Sequence, residues 1–193
     1  MKKIIIAIDS FKGCLTSAEA GKAAEKGIKS INPSCHTSVI PIADGGEGLL
    51  DVLIRATKGK YITLSAHGPL MKMAKTHYGL SGNGRTAIIE MAAISGLPLV
   101  PIEQRNPMLT TTFGTGELIK DALNKGCRNF IIGIGGSATN DAGLGMLQAL
   151  GFRFLDKSGH TLGTGGQIME AVANIDTSGI HPALKETHFV VAC

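Results

Sequence analysis

The stretch "IGIGGSATNDAGLGMLQALG", residues 132–151, joins an apolar run to an amphipathic segment through closely spaced glycines. The run "RNFIIGIG" (128–135) predicts a buried strand. The following residues predict a helix from Asn140 to Leu150, with its start near Thr139 or Asn140. A strand, a glycine turn and a helix in this order are typical of α/β folds.

Such a turn can bind an anion, because the first N–H groups of a helix lack partners and glycine lets an anion approach them closely. We therefore predict a phosphate-binding turn formed by Gly135, Gly136, Ser137, Ala138, Thr139 and Asn140. Asp141 follows directly and is a candidate metal ligand. In the alternative interpretation the glycines only turn the chain and Thr139 caps the helix.

The same stretch also imitates a dinucleotide site. Gly133, Gly135 and Ala138 fit the pattern G-x-G-x-x-A, and Asp156 ends the next predicted strand. The Walker A pattern is absent, because neither Gly-Lys pair precedes Ser or Thr. A dinucleotide-binding oxidoreductase that uses Gly133, Gly135 and Asp156 thus remains an alternative.

Strand and helix patterns alternate before this stretch. Residues 3–9, 37–43 and 61–66 read as strands, with helices over 18–31 and 49–56 between them. This order predicts one parallel sheet. Thr16 and Glu19 predict a capping box at the start of the first helix. After His67 the pattern changes to a hairpin around "SGNG", so we place domains at 1–67 and 68–193.

Polar residues follow the first two predicted strands, where open α/β sheets bind ligands. Ser10 and Lys12 follow the first, and Lys12 suits a phosphate or a substrate carboxylate. Asp44 and Glu47 follow the second; they are candidates for binding Mg²⁺, for a general base or for substrate binding. Each loop also has a purely structural interpretation as a turn or a helix cap.

The composition limits the class of protein. The chain of 193 residues is 44% hydrophobic and 18% charged, as in globular proteins. A net charge of +4, scattered basic residues and no Trp argue against nucleic acid as a partner. No apolar run is long enough to span a membrane. Four widely spaced cysteines predict reduced thiols in the cytoplasm. The sequence leaves open whether the chain forms a homo-oligomer.

Four motifs in order resemble the glycerate kinase family: "DSFKGCLTSAEA" (9–20), "PIADGGEGLLDVL" (41–53), "TFGTGELI" (112–119) and residues 132–151. The resemblance implies ATP-dependent phosphorylation of D-glycerate with Mg²⁺. It also implies a Rossmann-like parallel-sheet domain with a second α/β domain inserted into it. On this hypothesis Lys12 offsets negative charge, while Asp44 and Asp141 share the roles of Mg²⁺ ligand and general base.

Members of that family continue beyond the position of Cys193, so we expect this sequence to be the front part of a longer protein. The first domain would then lack its C-terminal strands. We favour 2-phosphoglycerate over 3-phosphoglycerate as the product. An inactive fragment remains a further alternative.

Overall fold

A computed structural model describes residues 3–11 and 13–193 as a mixed α/β fold, which confirms the predicted fold class. The strands are β1 (Lys3–Ile8), β2 (His36–Pro41), β3 (Lys60–His67), β4 (Met73–Leu80), β5 (Thr86–Glu90), β6 (Asn129–Gly133), β7 (Arg153–Leu155), β8 (Asn174–Asp176) and β9 (His188–Ala192). The helices are α1 (Ser17–Ile31), α2 (Leu49–Thr57), α3 (Ala92–Ser95), α4 (Phe113–Asn124) and α5 (Leu144–Ala149). No helix of the described chain is both long and apolar enough to cross a membrane.

The largest sheet has five strands in the order β3-β4-β5-β6-β9. Strands β3, β4 and β5 are antiparallel neighbours, whereas β5, β6 and β9 run parallel. The predicted hairpin around "SGNG" is confirmed as the β4–β5 pair. Separately, β1 pairs with β2 in parallel, and β7 pairs with β8 in antiparallel.

The core lies on both faces of the five-stranded sheet. Ile89 of β5 belongs to the larger cluster with Leu118 of α4, while Ile88 packs with Leu50 and Ile54 of α2. Alternate residues of a strand point to opposite faces, so α2 and α4 cover opposite sides of the sheet. This sandwich fixes the strand ends that carry the site.

The start of α1 shows the predicted local chemistry. Thr16 accepts a hydrogen bond from the backbone N–H of Glu19, and the Glu19 side chain accepts one from the backbone N–H of Thr16. This reciprocal capping box satisfies two helix-start donors. The Ser17 hydroxyl then donates to the Ile8 carbonyl oxygen, which ties the helix to β1.

Two predictions are wrong, one about strand pairing and one about the start of a helix. The third strand does not extend the sheet of β1 and β2, because β3 pairs antiparallel with β4 along its whole length. The five-stranded sheet therefore begins at Lys60, before the boundary at 67, and the division into domains stays a prediction. The helix of residues 132–151 begins at Leu144 and not near Asn140. Ala142 and Gly143 have left-handed φ values of 51° and 75°, which an α-helix cannot include.

Candidate functional site

Three strands end side by side at one edge of the five-stranded sheet. Glu90 of β5, Gly133 of β6 and Ala192 of β9 lie in register there. Residues 44–48, called the acidic loop below, follow β2 and pack on this edge. The N–H of Gly135 donates to the carbonyl oxygen of Gly45, in the acidic loop, at 3.3 Å. The structure thus brings together two of the loops that the sequence singled out.

Glycines allow these loops to meet backbone to backbone. A Cβ atom added to Gly135 would lie 2.6 Å from the Cα atom of Gly46, and one added to Gly133 would lie 2.5 Å from the carbonyl oxygen of Gly45. Gly45 also has a φ of 92°, and its Cβ would lie 2.6 Å from the carbonyl carbon of Ala192. A side chain at these positions would push the acidic loop away from the sheet edge.

Glu90 anchors the acidic loop from the end of β5. Its Oε2 atom accepts hydrogen bonds from the N–H groups of Gly48 at 3.2 Å and Leu50 at 3.3 Å. Burial raises the pKa of Glu90, and the nearby carboxylates of Asp51 and Glu47 raise it further, against the lowering effect of the two backbone hydrogen bonds. The start of α2 is therefore held by a carboxylate of the protein itself.

Residues 135–140, called the glycine turn below, are held by their own hydroxyl groups. The Ser137 hydroxyl accepts from the N–H of Thr139 at 2.9 Å and lies 2.7 Å from its Oγ1 atom. The N–H of Ala138 donates to a carbonyl oxygen of α3. Within residues 3–11 and 13–193, the N–H groups of Gly136, Ser137 and Asn140 donate to no acceptor. These three amides are the donors that can bind an oxyanion.

Asp141, a predicted catalytic and metal-binding residue, is 1% exposed. Its carboxylate accepts from the N–H groups of Thr112, Gly143 and Gly145 and from the hydroxyl groups of Thr111 and Thr112. These bonds join the start of α4 to the start of α5. Both oxygens are occupied, so the geometry favours a structural role; its role as base or metal ligand stays a prediction.

Asp44 and Glu47 are both exposed on the acidic loop. The Oδ1 atom of Asp44 accepts from the N–H of Gly46 at 3.1 Å. Across the described residues, no three His, Cys, Asp or Glu side chains form a cluster that could hold a metal ion. A site with one or two carboxylates still suits Mg²⁺, which keeps waters and takes further oxygens from substrate phosphates.

Ser10 follows β1 next to the strand that leads into the acidic loop, because Ile8 and Pro41 pair at the ends of β1 and β2. Its N–H donates to Oδ1 of Asp9 at 2.6 Å. Its buried hydroxyl has no partner among the described residues, as expected of a group that a ligand or a water satisfies. The predicted catalytic and substrate-binding residue Lys12 lies outside the described residues.

Arg105 is a candidate that the sequence patterns missed. Together with the glycine turn, the segment that contains this exposed side chain lines an open cavity of about 240 Å³. Residues 98–107 carry no periodic pattern, so the sequence indicated only a loop there. The basic residue in "QRNP" (104–107) was the one available signal.

The dinucleotide interpretation fails on the position of Asp156. That fold needs the next strand to lie parallel in the same sheet, with the acid at its end. Strand β7 instead pairs antiparallel with β8, away from β6. Asp156 accepts from the N–H groups of Ser158 and His160, which closes a tight turn. The alternative built on Gly133, Gly135 and Asp156 is therefore wrong.

Comparisons with known proteins agree on one family. The profile described as "Glycerate kinase family" matches residues 4–193. Over 191 residues the chain is 52% identical to a glycerate kinase of Bacillus subtilis and 49% identical to a glycerate 2-kinase of Escherichia coli, covering 99% of this chain and 50% of each relative. A solved structure of a glycerate kinase 2 candidate from Salmonella typhimurium LT2 superposes with a TM-score of 0.86 at 48% identity, covering 100% of this chain and 51% of the other. The chain thus spans about half the length of the curated relatives it matches.

Proposed function

Because the chain belongs to the glycerate kinase family, we propose that it forms part of an enzyme that transfers the γ-phosphoryl group of ATP to a hydroxyl group of D-glycerate. The observation that supports this proposal is the contact between the glycine turn and the acidic loop. Through that contact the unbonded amides of the glycine turn and the carboxylates of the acidic loop belong to adjoining segments, which supports roles in binding an oxyanion, a metal ion and a proton. Phosphoryl transfer depends mainly on such positioning and on charge neutralisation.

The glycine turn binds phosphate oxygens through the N–H groups of Gly136, Ser137 and Asn140. Main-chain amides suit this task because the backbone already fixes their direction before ATP arrives. The side chains of Ser137 and Thr139 act indirectly, by holding the turn in shape. Ala138 and Gly135 contribute spacing and close packing.

Asp44 is the carboxylate that we assign to Mg²⁺, and Glu47 is the second acid on the same loop. Bound Mg²⁺ would neutralise charge on the phosphate oxygens. Asp44 and Glu47 are exposed on the loop that contacts the glycine turn, and Glu90 holds the far end of that loop in place. A carboxylate of this loop also accepts the proton that the glycerate hydroxyl loses when its oxygen bonds to phosphorus.

Ser10 is the residue that we assign to glycerate, because its buried hydroxyl has no partner among the described residues. Lys12, two positions later, would neutralise the carboxylate of glycerate or a phosphate. We assign the transfer to the 2-hydroxyl group, since a relative that is 49% identical is a glycerate 2-kinase. The four cysteines form no disulfide bonds among the described residues, which supports a cytoplasmic location.

Asp44→Asn tests this proposal in the complete protein that contains these residues. We expect glycerate-dependent release of ADP to fall at least about 100-fold, since a metal-binding carboxylate is lost. Asp51→Asn is the matched control: this carboxylate lies in α2 and accepts from Tyr61. Phosphorus NMR of the product distinguishes the 2-phospho from the 3-phospho isomer. Near-normal ADP release by Asp44→Asn would reject the assigned role.

A further inference from the structure

A cavity of about 240 Å³ lies between the glycine turn and the segment 97–107. Its apolar lining includes Leu97, Val100 and Ala138, and its polar lining includes Arg105, Ser137 and Thr139. This volume suits a small substituent of a ligand rather than a whole cofactor. The cavity thus combines one cationic side chain with hydroxyl groups against an apolar wall.

Hydrogen bonds fix the two walls to each other. The N–H of Leu97 donates to the carbonyl oxygen of Gly136 at 2.9 Å, and the N–H of Ala138 donates to that of Ser95 at 2.9 Å. The Thr110 hydroxyl donates to the carbonyl oxygen of Ala138 at 2.8 Å. The first bond joins the segment 97–107 to the turn directly, and the other two join the turn to Ser95 and Thr110, which flank the segment, so both walls are held before any ligand binds.

Arg105 is oriented but not neutralised. Its Nε atom donates to the carbonyl oxygen of Val100 at 3.2 Å, and Val100 is itself 1% exposed. In residues 3–11 and 13–193, no carboxylate lies within ion-pair distance of the Arg105 guanidinium. A guanidinium group carries five N–H donors in a planar fork, so its terminal amino groups can bind two oxygens of one anion.

We propose that this cavity is an oxyanion subsite in which Arg105 binds a phosphate or carboxylate group of a substrate. The proposal rests on the proposed function, because the glycine turn forms one wall of the subsite. The main-chain amides of the glycine turn carry no net charge. The Arg105 side chain on the opposite wall would add the positive charge that these amides lack. The same chemistry suits a phosphate of ATP and the carboxylate of D-glycerate.

Titration calorimetry on the 193-residue chain and on its complete protein tests this subsite with ATP and D-glycerate as separate probes. We expect Arg105→Ala to raise the Kd of one probe by about 10- to 100-fold, and Arg105→Lys to raise it less, because lysine keeps the charge but loses the fork. Arg85→Ala is the matched control. It removes the same charge from the exposed turn at the opposite end of β5, and we expect no change beyond about twofold.

The outcomes separate this subsite from the proposed function. The probe whose Kd rises identifies the group that the cavity takes. If Arg105→Ala binds both probes as tightly as the unsubstituted protein, the subsite is rejected while the kinase proposal stands. If binding depends on Arg105 but the complete protein transfers no phosphate to glycerate, the kinase proposal is rejected and the subsite stands. If the unsubstituted complete protein binds neither ATP nor D-glycerate, the subsite and the kinase proposal are both rejected.

Discussion

Asp141→Asn tests whether this residue holds the fold rather than the metal. The Oδ1 atom of Asp141 accepts from the N–H of Gly143 at 3.0 Å, and the Oδ2 atom accepts from the N–H groups of Thr112 at 2.8 Å and Gly145 at 3.2 Å. In the better of its two orientations, an amide group still faces the partly buried N–H of Gly143 with its own NH₂. Losing that charge-assisted bond and leaving the donor unsatisfied costs about 2–4 kcal/mol.

Urea unfolding followed by circular dichroism measures this loss in the free energy of unfolding. Asp44→Asn is the matched control, since the same change at an exposed carboxylate should alter the free energy of unfolding by less than about 0.5 kcal/mol. The two variants are thus expected to separate stability from activity. A loss below about 0.5 kcal/mol for Asp141→Asn would refute this reasoning and return Asp141 to the list of metal ligands.

Two further predictions concern the sheet edge. Gly135→Ala should destabilise the protein by about 1–3 kcal/mol in the same unfolding assay, because its Cβ meets the backbone of Gly46, whereas Gly27→Ala in α1 meets nothing within 4 Å and should stabilise by about 0.5–1 kcal/mol. Equal effects would contradict the close approach. Burial raises the pKa of the Glu90 carboxyl group, so this group keeps its proton to higher pH in the native state than in the unfolded state. Relative to Glu90→Gln, the unsubstituted protein should therefore lose stability as pH rises above 4.5, and a pH-independent difference would contradict this.

Local patterns predicted the elements but not all of their partners. The hairpin around "SGNG" and the capping box at Thr16 rest on contacts between near neighbours in the sequence, and both were confirmed. The strand with which β3 pairs is determined by packing across the whole sheet. The alternating order of strands and helices therefore could not exclude its antiparallel pairing with β4. The start of α5 was wrong for a similar reason, since Thr111 and Thr112 supply the bonds that hold Asp141 out of a helix.

The same distinction applies to the site. The acidic loop and the glycine turn were predicted because polar residues after parallel strands collect at one sheet edge, and the structure brings these two loops together. No comparable rule predicts a role for Arg105 from the sequence. Its position depends on the bond between Leu97 and Gly136, which joins residues that are distant in the sequence. A charged residue in an irregular segment becomes a candidate only when the structure shows which cavity it lines.

The first three glycines of residues 132–151 thus divide between two tasks. Gly133 and Gly135 allow the acidic loop to touch the end of β6, and the N–H of Gly135 is already bonded to that loop. Gly136 lies on the other side of this contact, with an N–H that no described residue accepts. Because one continuous backbone serves both tasks, a ligand on the later amides also constrains the loop that carries Asp44. Substitutions at Gly133 and Gly135 should therefore act through loop geometry, and a substitution at Gly136 through ligand affinity.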